Sequence, residues 1–240
     1  MRLARLSTPD GPRHARWDAD RWHEVPSFTD LRPTGRTFPP EATLLAPVEP
    51  RTVVGASHPE DDHGARRVQG WLKSSAGVTG PGGTIERAAW ATTVVAEGEL
   101  AVVIGAEAHA LTNENALEHV LGFTIANDVT TVAPTEDAVF FAAKAGTGYT
   151  PLGPWIETDV DDPDALAIRV SVEGTLVRSS STADLPHTIC EILVAITRTM
   201  TLQPGDVVLT GSPSTDAALP AGTSVQVSID RIGTLENGVV

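Results

Sequence analysis

The stretch Val94-Val95-Ala96-Glu97-Gly98-Glu99-Leu100-Ala101-Val102-Val103-Ile104-Gly105 sets two acids inside an apolar run. From Glu99 to Gly105 the aliphatic residues are nearly continuous, the pattern of a strand covered on both faces. Strand side chains two apart share a face at a spacing of roughly 7 Å, so Glu97 and Glu99 project in parallel. Such neighbours repel, and burying either without a cation is costly. A third acid, Asp128, lies in the comparable frame Phe123-Thr124-Ile125-Ala126-Asn127-Asp128-Val129-Thr130. Three carboxylates in a chain with one cysteine, Cys190, point to a hard divalent ion held by oxygen: magnesium or manganese, with calcium a further candidate. The plain alternative is a solvated strand edge in an acidic protein, and spacing alone leaves both open.

Outward from this stretch the pattern is β-rich. Arg51–Gly55, Val207–Thr210 and Ser224–Ile229 read as strands, with weaker signals at Met1–Leu6 and His14–Trp17. Two helices are expected. Thr112–Leu121 opens with a hydroxyl cap and ends at Gly122. Pro186–Met200 carries Ile189, Ile192, Leu193, Ile196 and Met200 on one face. Glycine (21) and proline (18) supply frequent turns. The fold class is therefore α+β and β-rich, with a polar amino-terminal subdomain over residues 1–45 and the main unit over 46–240. No internal repeat or low-complexity tract interrupts it.

Composition narrows the partners. Across 240 residues, 31 Asp and Glu against 17 Lys and Arg leave a formal charge of -14, with pI near 4.8. Nucleic acid and anionic membranes both need a cationic face, so neither is an expected partner. No apolar run approaches the ~20 residues that cross a bilayer, and the first residues lack a secretory pattern; a soluble, cytoplasmic protein is expected. One cysteine excludes an intramolecular disulfide and a multi-cysteine zinc site.

Two further features have a bland and a chemical reading. Lys144, after Phe140-Phe141-Ala142-Ala143, is either a snorkelling surface lysine or a cation beside the acids that stabilises an enolate or carboxylate. Thr210-Gly211-Ser212-Pro213 is either an ordinary turn or a set of amides and hydroxyls that binds a substrate oxygen.

In order, the elements Leu45-Ala46-Pro47-Val48-Glu49-Pro50, Lys73 with Gly80-Pro81-Gly82, and Glu97-Gly98-Glu99 through Gly105 resemble the fumarylacetoacetate hydrolase family. So do Gly122-Phe123-Thr124, Asn127-Asp128-Val129-Thr130, Lys144, Pro151-Leu152-Gly153-Pro154, and Leu202-Gln203-Pro204-Gly205-Asp206 leading to Thr210-Gly211-Ser212-Pro213. The likeness implies a mixed β-roll or barrel with a few short helices, a homodimer, and a divalent ion (Mg2+ or Mn2+) on Glu97, Glu99 and Asp128. It implies an active-site role for Lys144, and substrate contacts from Thr210, Gly211, Ser212 and Lys73. The substrate would be a small 2-oxo acid or β-dicarbonyl compound. Carbon–carbon hydrolysis or keto–enol tautomerisation through a metal-stabilised enolate is expected, with decarboxylation, or a binding scaffold that has lost chemistry, as alternatives.

Three departures qualify the likeness. Hydrolytic members resemble G-x-N-Y-x-x-H-x-x-E, where a His–Glu pair activates water; here Gly55-Ala56-Ser57-His58-Pro59-Glu60-Asp61-Asp62-His63 offers His58 with Asp61, or Glu60 with His63. The Arg and Gln common after N-D-V-T are absent, and Ser212 and Ser214 replace Thr and Gly. A less anionic or bulkier substrate follows, with Val132, Phe140, Phe141 and Tyr149 as apolar contacts.

Overall fold

A computed structural model describes residues 1–132 and 140–240, with the side chain of Phe140 outside the description. The quoted stretch forms the axis of the molecule. Thr93–Ile104 is one twelve-residue strand in a large mixed sheet whose path runs from the edge strand Thr37–Phe38 through Arg21–Val25, Arg13–Asp18, Arg2–Leu6, Thr150–Glu157, Val120–Asn127, Thr93–Ile104, Val207–Leu209 and Val53–Ser57 to Gln69–Lys73. A second sheet orders Thr175–Ser181, Ala167–Val172, Ser224–Ile229, Gly233–Val239 and Thr84–Ile85. The fold is mostly β and of the expected α+β roll type, but its strands form an open path rather than a closed barrel.

Alternation along Thr93–Ile104 divides the core. Val94, Ala96, Leu100, Val102 and Ile104 face one apolar cluster, together with the second sheet and the α-helix Ile189–Thr197. Ala101 and Val103 face another, and Glu97 and Glu99 share their parity. The second sheet packs tightly on Gly98, between the acids: a Cβ there would lie 2.8 Å from Val227 and 2.9 Å from Val170.

Residues 1–45 extend the large sheet through the pairing of Arg2–Leu6 with Thr150–Glu157. The second expected helix is present over Ile189–Thr197, with Thr188 and Glu191 forming a capping box at its start. The first is not. Thr112–Leu121 yields only a 3-10 turn, Ala116–His119, without a side-chain cap at Asn115. Leu117 is exposed, and Val120 and Leu121 instead begin the strand Val120–Asn127. Gly122 lies within that strand rather than stopping a helix, because a Cβ there would meet the Glu157 carbonyl at 2.5 Å. Pairing with the long strand outweighs a short helical pattern with one buried position. Among the described residues no helix is long and apolar enough to cross a membrane.

Candidate active site

Both neighbours of Thr93–Ile104 leave it at the same level. On one side Val120–Asn127 pairs with its second half, ending at Asn127 opposite Gly98, and pairing resumes with Thr130 opposite Val95. On the other, Val207–Leu209 ends opposite Ala101, and Asp216–Ala218 resumes opposite Glu97. The two gaps insert Asp128 and the Thr210–Thr215 turn beside Glu97 and Glu99. Backbone and side-chain bonds fix both insertions: the Asp128 N–H donates to the Glu97 carbonyl at 2.8 Å, the Glu97 N–H donates to Asn127 Oδ1 at 3.0 Å, and the Thr215 hydroxyl donates to the Gly98 carbonyl at 2.6 Å.

One carboxylate oxygen from each of Glu97, Glu99 and Asp128 lies within 4.8 Å of the others. Two lysines face these three acids. Lys144 Nζ, on the short helix Phe140–Lys144, donates to Glu97 Oε2 at 2.7 Å and to Asp128 Oδ2 at 2.6 Å. Lys73 Nζ donates to Asp128 Oδ1. Glu99 makes no ion pair of its own among the described residues; its one hydrogen bond there comes from the Gly211 N–H at 2.7 Å. Burial, followed by the charges of Asp128 and Glu97, pushes the Glu99 carboxyl well above its ordinary range. Burial opposes the charge on Lys144, but Asp128 and Glu97 outweigh it and raise its pKa. Lys73 is driven down, chiefly by burial.

The cluster opens into a cleft of about 690 Å³ lined by Glu97, Glu99, Lys144, His58, Trp71, and Gly211 and Ser212 of the turn. Asp128, 1% exposed, stands outside the cleft lining and meets it through its bond from Lys144. The donor set is oxygen only, and one buried member, Glu99, makes no ion pair among the described residues, which suits a hard divalent ion.

Residues 43–240 match the family model described as Fumarylacetoacetate (FAA) hydrolase C-terminal. The chain belongs to the fumarylacetoacetate hydrolase family. Residues 1–47 match a second model, Rv2993c-like, N-terminal. Protein Rv2993c of Mycobacterium tuberculosis is 34% identical over 100% of this chain and 98% of its own. The oxaloacetate tautomerase YisK of Bacillus subtilis is 34% identical over 70% of this chain and 60% of its own. The crystal structure of 5-carboxymethyl-2-hydroxymuconate delta-isomerase from Mycobacterium smegmatis superposes with a TM-score of 0.92, at 35% identity, over 100% of this chain and 99% of that one. Maleylpyruvate hydrolase from Sphingobium sp. SYK-6, in complex with manganese (II) ion and pyruvate, superposes at 0.82 with 25% identity, over 100% and 99%. Homologues of this fumarylacetoacetate hydrolase-family chain thus include a tautomerase, an isomerase and a hydrolase.

Against that family background, several expected contacts are displaced. Neither His–acid pair forms. Asp61 instead accepts the backbone N–H groups of His63 and Ala65, each at 2.9 Å, closing its own exposed loop, and these bonds lower its pKa. Glu60 pairs with Arg66 at 3.1 Å, and His63 is exposed outside the cleft lining. Thr210 and Lys73 do not reach the cleft either. The Thr210 hydroxyl donates to the Leu100 carbonyl at 2.9 Å, and Lys73 lies behind Asp128 with its side chain 0% exposed. Gly211 and Ser212 do line the cleft, although the Ser212 hydroxyl is also 2.6 Å from that of Thr215. Tyr149 is fully buried with its hydroxyl 2.7 Å from Thr131, which removes it as a substrate contact. Val132 and Phe141 are exposed outside the lining, and the Phe140 side chain lies outside the described residues.

The cleft also draws on residues absent from the sequence-based expectations. Arg66, Trp71 and Asp184 line the cleft, and Lys144 Nζ sits 5.3 Å from the Trp71 ring centroid. Their contacts come from separate segments, so no local spacing marked them. The one local hint is Gly55, opposite Trp71 in register, where any Cβ would fall 2.4 Å from the indole.

Proposed function

We propose that this chain is a divalent-metal-dependent enzyme acting on a small 2-oxo acid or β-dicarbonyl compound, with keto–enol tautomerisation as its reaction. The observation that carries this is the buried Glu99 carboxylate, without a cation of its own, beside Glu97, Asp128 and Lys144. Glu97, Glu99 and Asp128 would hold the ion, magnesium or manganese. When bound, such an ion supplies Lewis acidity and a template for the adjacent oxygens of an oxo acid. Lys144, anchored on Glu97 and Asp128, presents its remaining N–H to negative charge developing on a substrate oxygen in the cleft. Gly211 and Ser212 border the same space, and Trp71 supplies an apolar wall. The manganese and pyruvate held by the maleylpyruvate hydrolase relative support the ligand class, and the tautomerase and isomerase names among relatives support the reaction.

Hydrolysis of a carbon–carbon bond needs a base to activate water. A His–carboxylate pair does not form among the described residues, which favours tautomerisation over hydrolysis. As in its family likeness, the working form would be a homodimer, which sedimentation tests. The decisive experiment pairs calorimetry with Mg2+ and Mn2+ with a spectroscopic keto–enol assay on a panel of 2-oxo acids. Metal-dependent enol conversion without cleavage products is the expected result; cleavage products, or turnover indifferent to metal, overturn it.

A further inference from the structure

His58 and His187 approach each other from segments 129 residues apart in sequence, with Nδ1 facing Nδ1 at 3.0 Å and the rings stacked at 5.1 Å. His58 Nε2 lies 2.9 Å from the Thr210 carbonyl. A carbonyl only accepts, so the hydrogen is on His58 Nε2; with His58 neutral, its Nδ1 accepts and His187 Nδ1 carries the donated hydrogen. No other arrangement puts one hydrogen between the two facing nitrogens while His58 stays neutral.

The chain of contacts continues through a single peptide group. The carbonyl that His58 holds and the N–H that Glu99 receives belong to the same Thr210–Gly211 unit, which is planar and rigid. Donation to its carbonyl polarises its N–H and strengthens the bond to Glu99. The rest of Thr210 is pinned independently: its N–H and hydroxyl both donate to the Leu100 carbonyl, at 3.1 and 2.9 Å. What remains free is the tilt of the peptide plane, and His58 fixes it. Gly211 has φ +97°, and a Cβ there would lie 2.8 Å from His58 Nε2, so glycine both turns the chain and leaves room for the ring.

We propose that His187 and His58 are positioning residues for Glu99: His187 sets the hydrogen placement and orientation of His58, and His58 aims the Glu99 carboxylate into the acidic cluster through the Thr210–Gly211 peptide. This deepens the proposed function, since Glu99 is there a metal ligand. Outer contacts of this kind typically change metal affinity by about 10- to 100-fold.

The test compares His187→Phe, which keeps a ring but donates nothing, with His187→Asn, whose amide nitrogen replaces Nδ1 as donor. Calorimetry with Mn2+ reads the affinity, and the 1H–15N resonance of the Gly211 amide, recorded without metal, reads the relay. His187→Phe is expected to lose roughly 10-fold or more in Mn2+ affinity and to move the Gly211 amide proton upfield, while His187→Asn retains both. Wild-type values in His187→Phe, or equal losses in both variants, overturn the proposal. Should His187→Phe unfold, His58→Gln, which still offers a donor to Thr210, must keep the Gly211 resonance that His58→Leu loses. If the wild-type protein takes up no Mn2+, the metal reading falls, and the Gly211 resonance alone decides the relay.

Discussion

Lys73 and Asp128 form an ion pair in which both side chains are withdrawn from solvent, at 0% and 1% exposure. Lys73 also donates to the Val129 carbonyl at 3.3 Å, so the lysine anchors the segment that carries Asp128 rather than reaching a substrate. Removing one member of such a pair leaves the other charge buried without its counter-ion. Lys73→Met should therefore destabilise the protein by about 3 kcal/mol, even though Lys144 still holds the other Asp128 oxygen. Guanidinium denaturation checks this; a loss within experimental error would mean that the pair is dispensable.

Metal binding to the acidic cluster should be visible as heat stability. At Mn2+ one hundred times its dissociation constant, linkage gives about 2.7 kcal/mol, or roughly 5–10 °C in melting temperature for a chain of this size. Glu99→Gln should abolish the rise, and chelation should reverse it in the wild type. A Glu99→Gln protein that is stabilised as much as the wild type would contradict the ligand assignment.

Lys144 lies between two of the acids and so acts on affinity and turnover in opposite senses. Replacing it with Met removes a competing cation from Glu97 and Asp128, so Mn2+ should bind at least as tightly. Turnover should fall by about 10²–10³ with the loss of a preorganised donor. Parallel losses in affinity and rate would mark it as a structural residue instead.

The pH dependence of stability should carry a signature of His58. Burial chiefly lowers its pKa from the ordinary 6.5; the Thr210 carbonyl opposes this, while His187 and Arg66 add to it. Arg66 donates to the His58 carbonyl and Asp184 shares the cleft wall. Below 6.5 the unfolded chain takes up a proton that the folded one resists, so stability is greatest above 6.5 and declines as pH falls through the folded value. His58→Gln in the presence of chelator should show a shallower decline as pH falls below 6.5. Superimposable curves would place the titration elsewhere.

Gly98 tests the packing that carries the site. Gly98→Val inserts bulk against Val227 and Val170 of the second sheet, where even a Cβ is too near both. Overpacking of this kind costs about 1–3 kcal/mol, and differential scanning calorimetry should show a lower melting temperature. An unchanged value would mean that the second sheet shifts without penalty.

Much of this was legible in the chain itself. Continuous aliphatic residues from Leu100 to Ile104 marked the covered strand, and the two-residue period put Glu97 and Glu99 on one face, because strand geometry is local. The apolar stripe through Ile189, Ile192 and Leu193 marked the longer helix for the same reason, while the capping box at Thr188 emerged only in the structure. Thr112–Leu121 misled, since its cap and glycine stop are local signals, whereas the pairing that turns Val120 and Leu121 into a strand depends on residues far away.

The amino-acid sequence by itself determined the β-rich class, the acidic face and the candidate oxygen ligands. Only the tertiary structure decided their partners: Lys73 behind Asp128 rather than at a substrate, Asp61 on its own loop rather than beside a histidine, and His187 against His58. Local patterns follow from backbone periods of two and 3.6 residues and can be counted along the chain. Contacts between separate segments follow from where neighbouring strands part, here on both sides of Gly98, and no spacing within either segment encodes that meeting.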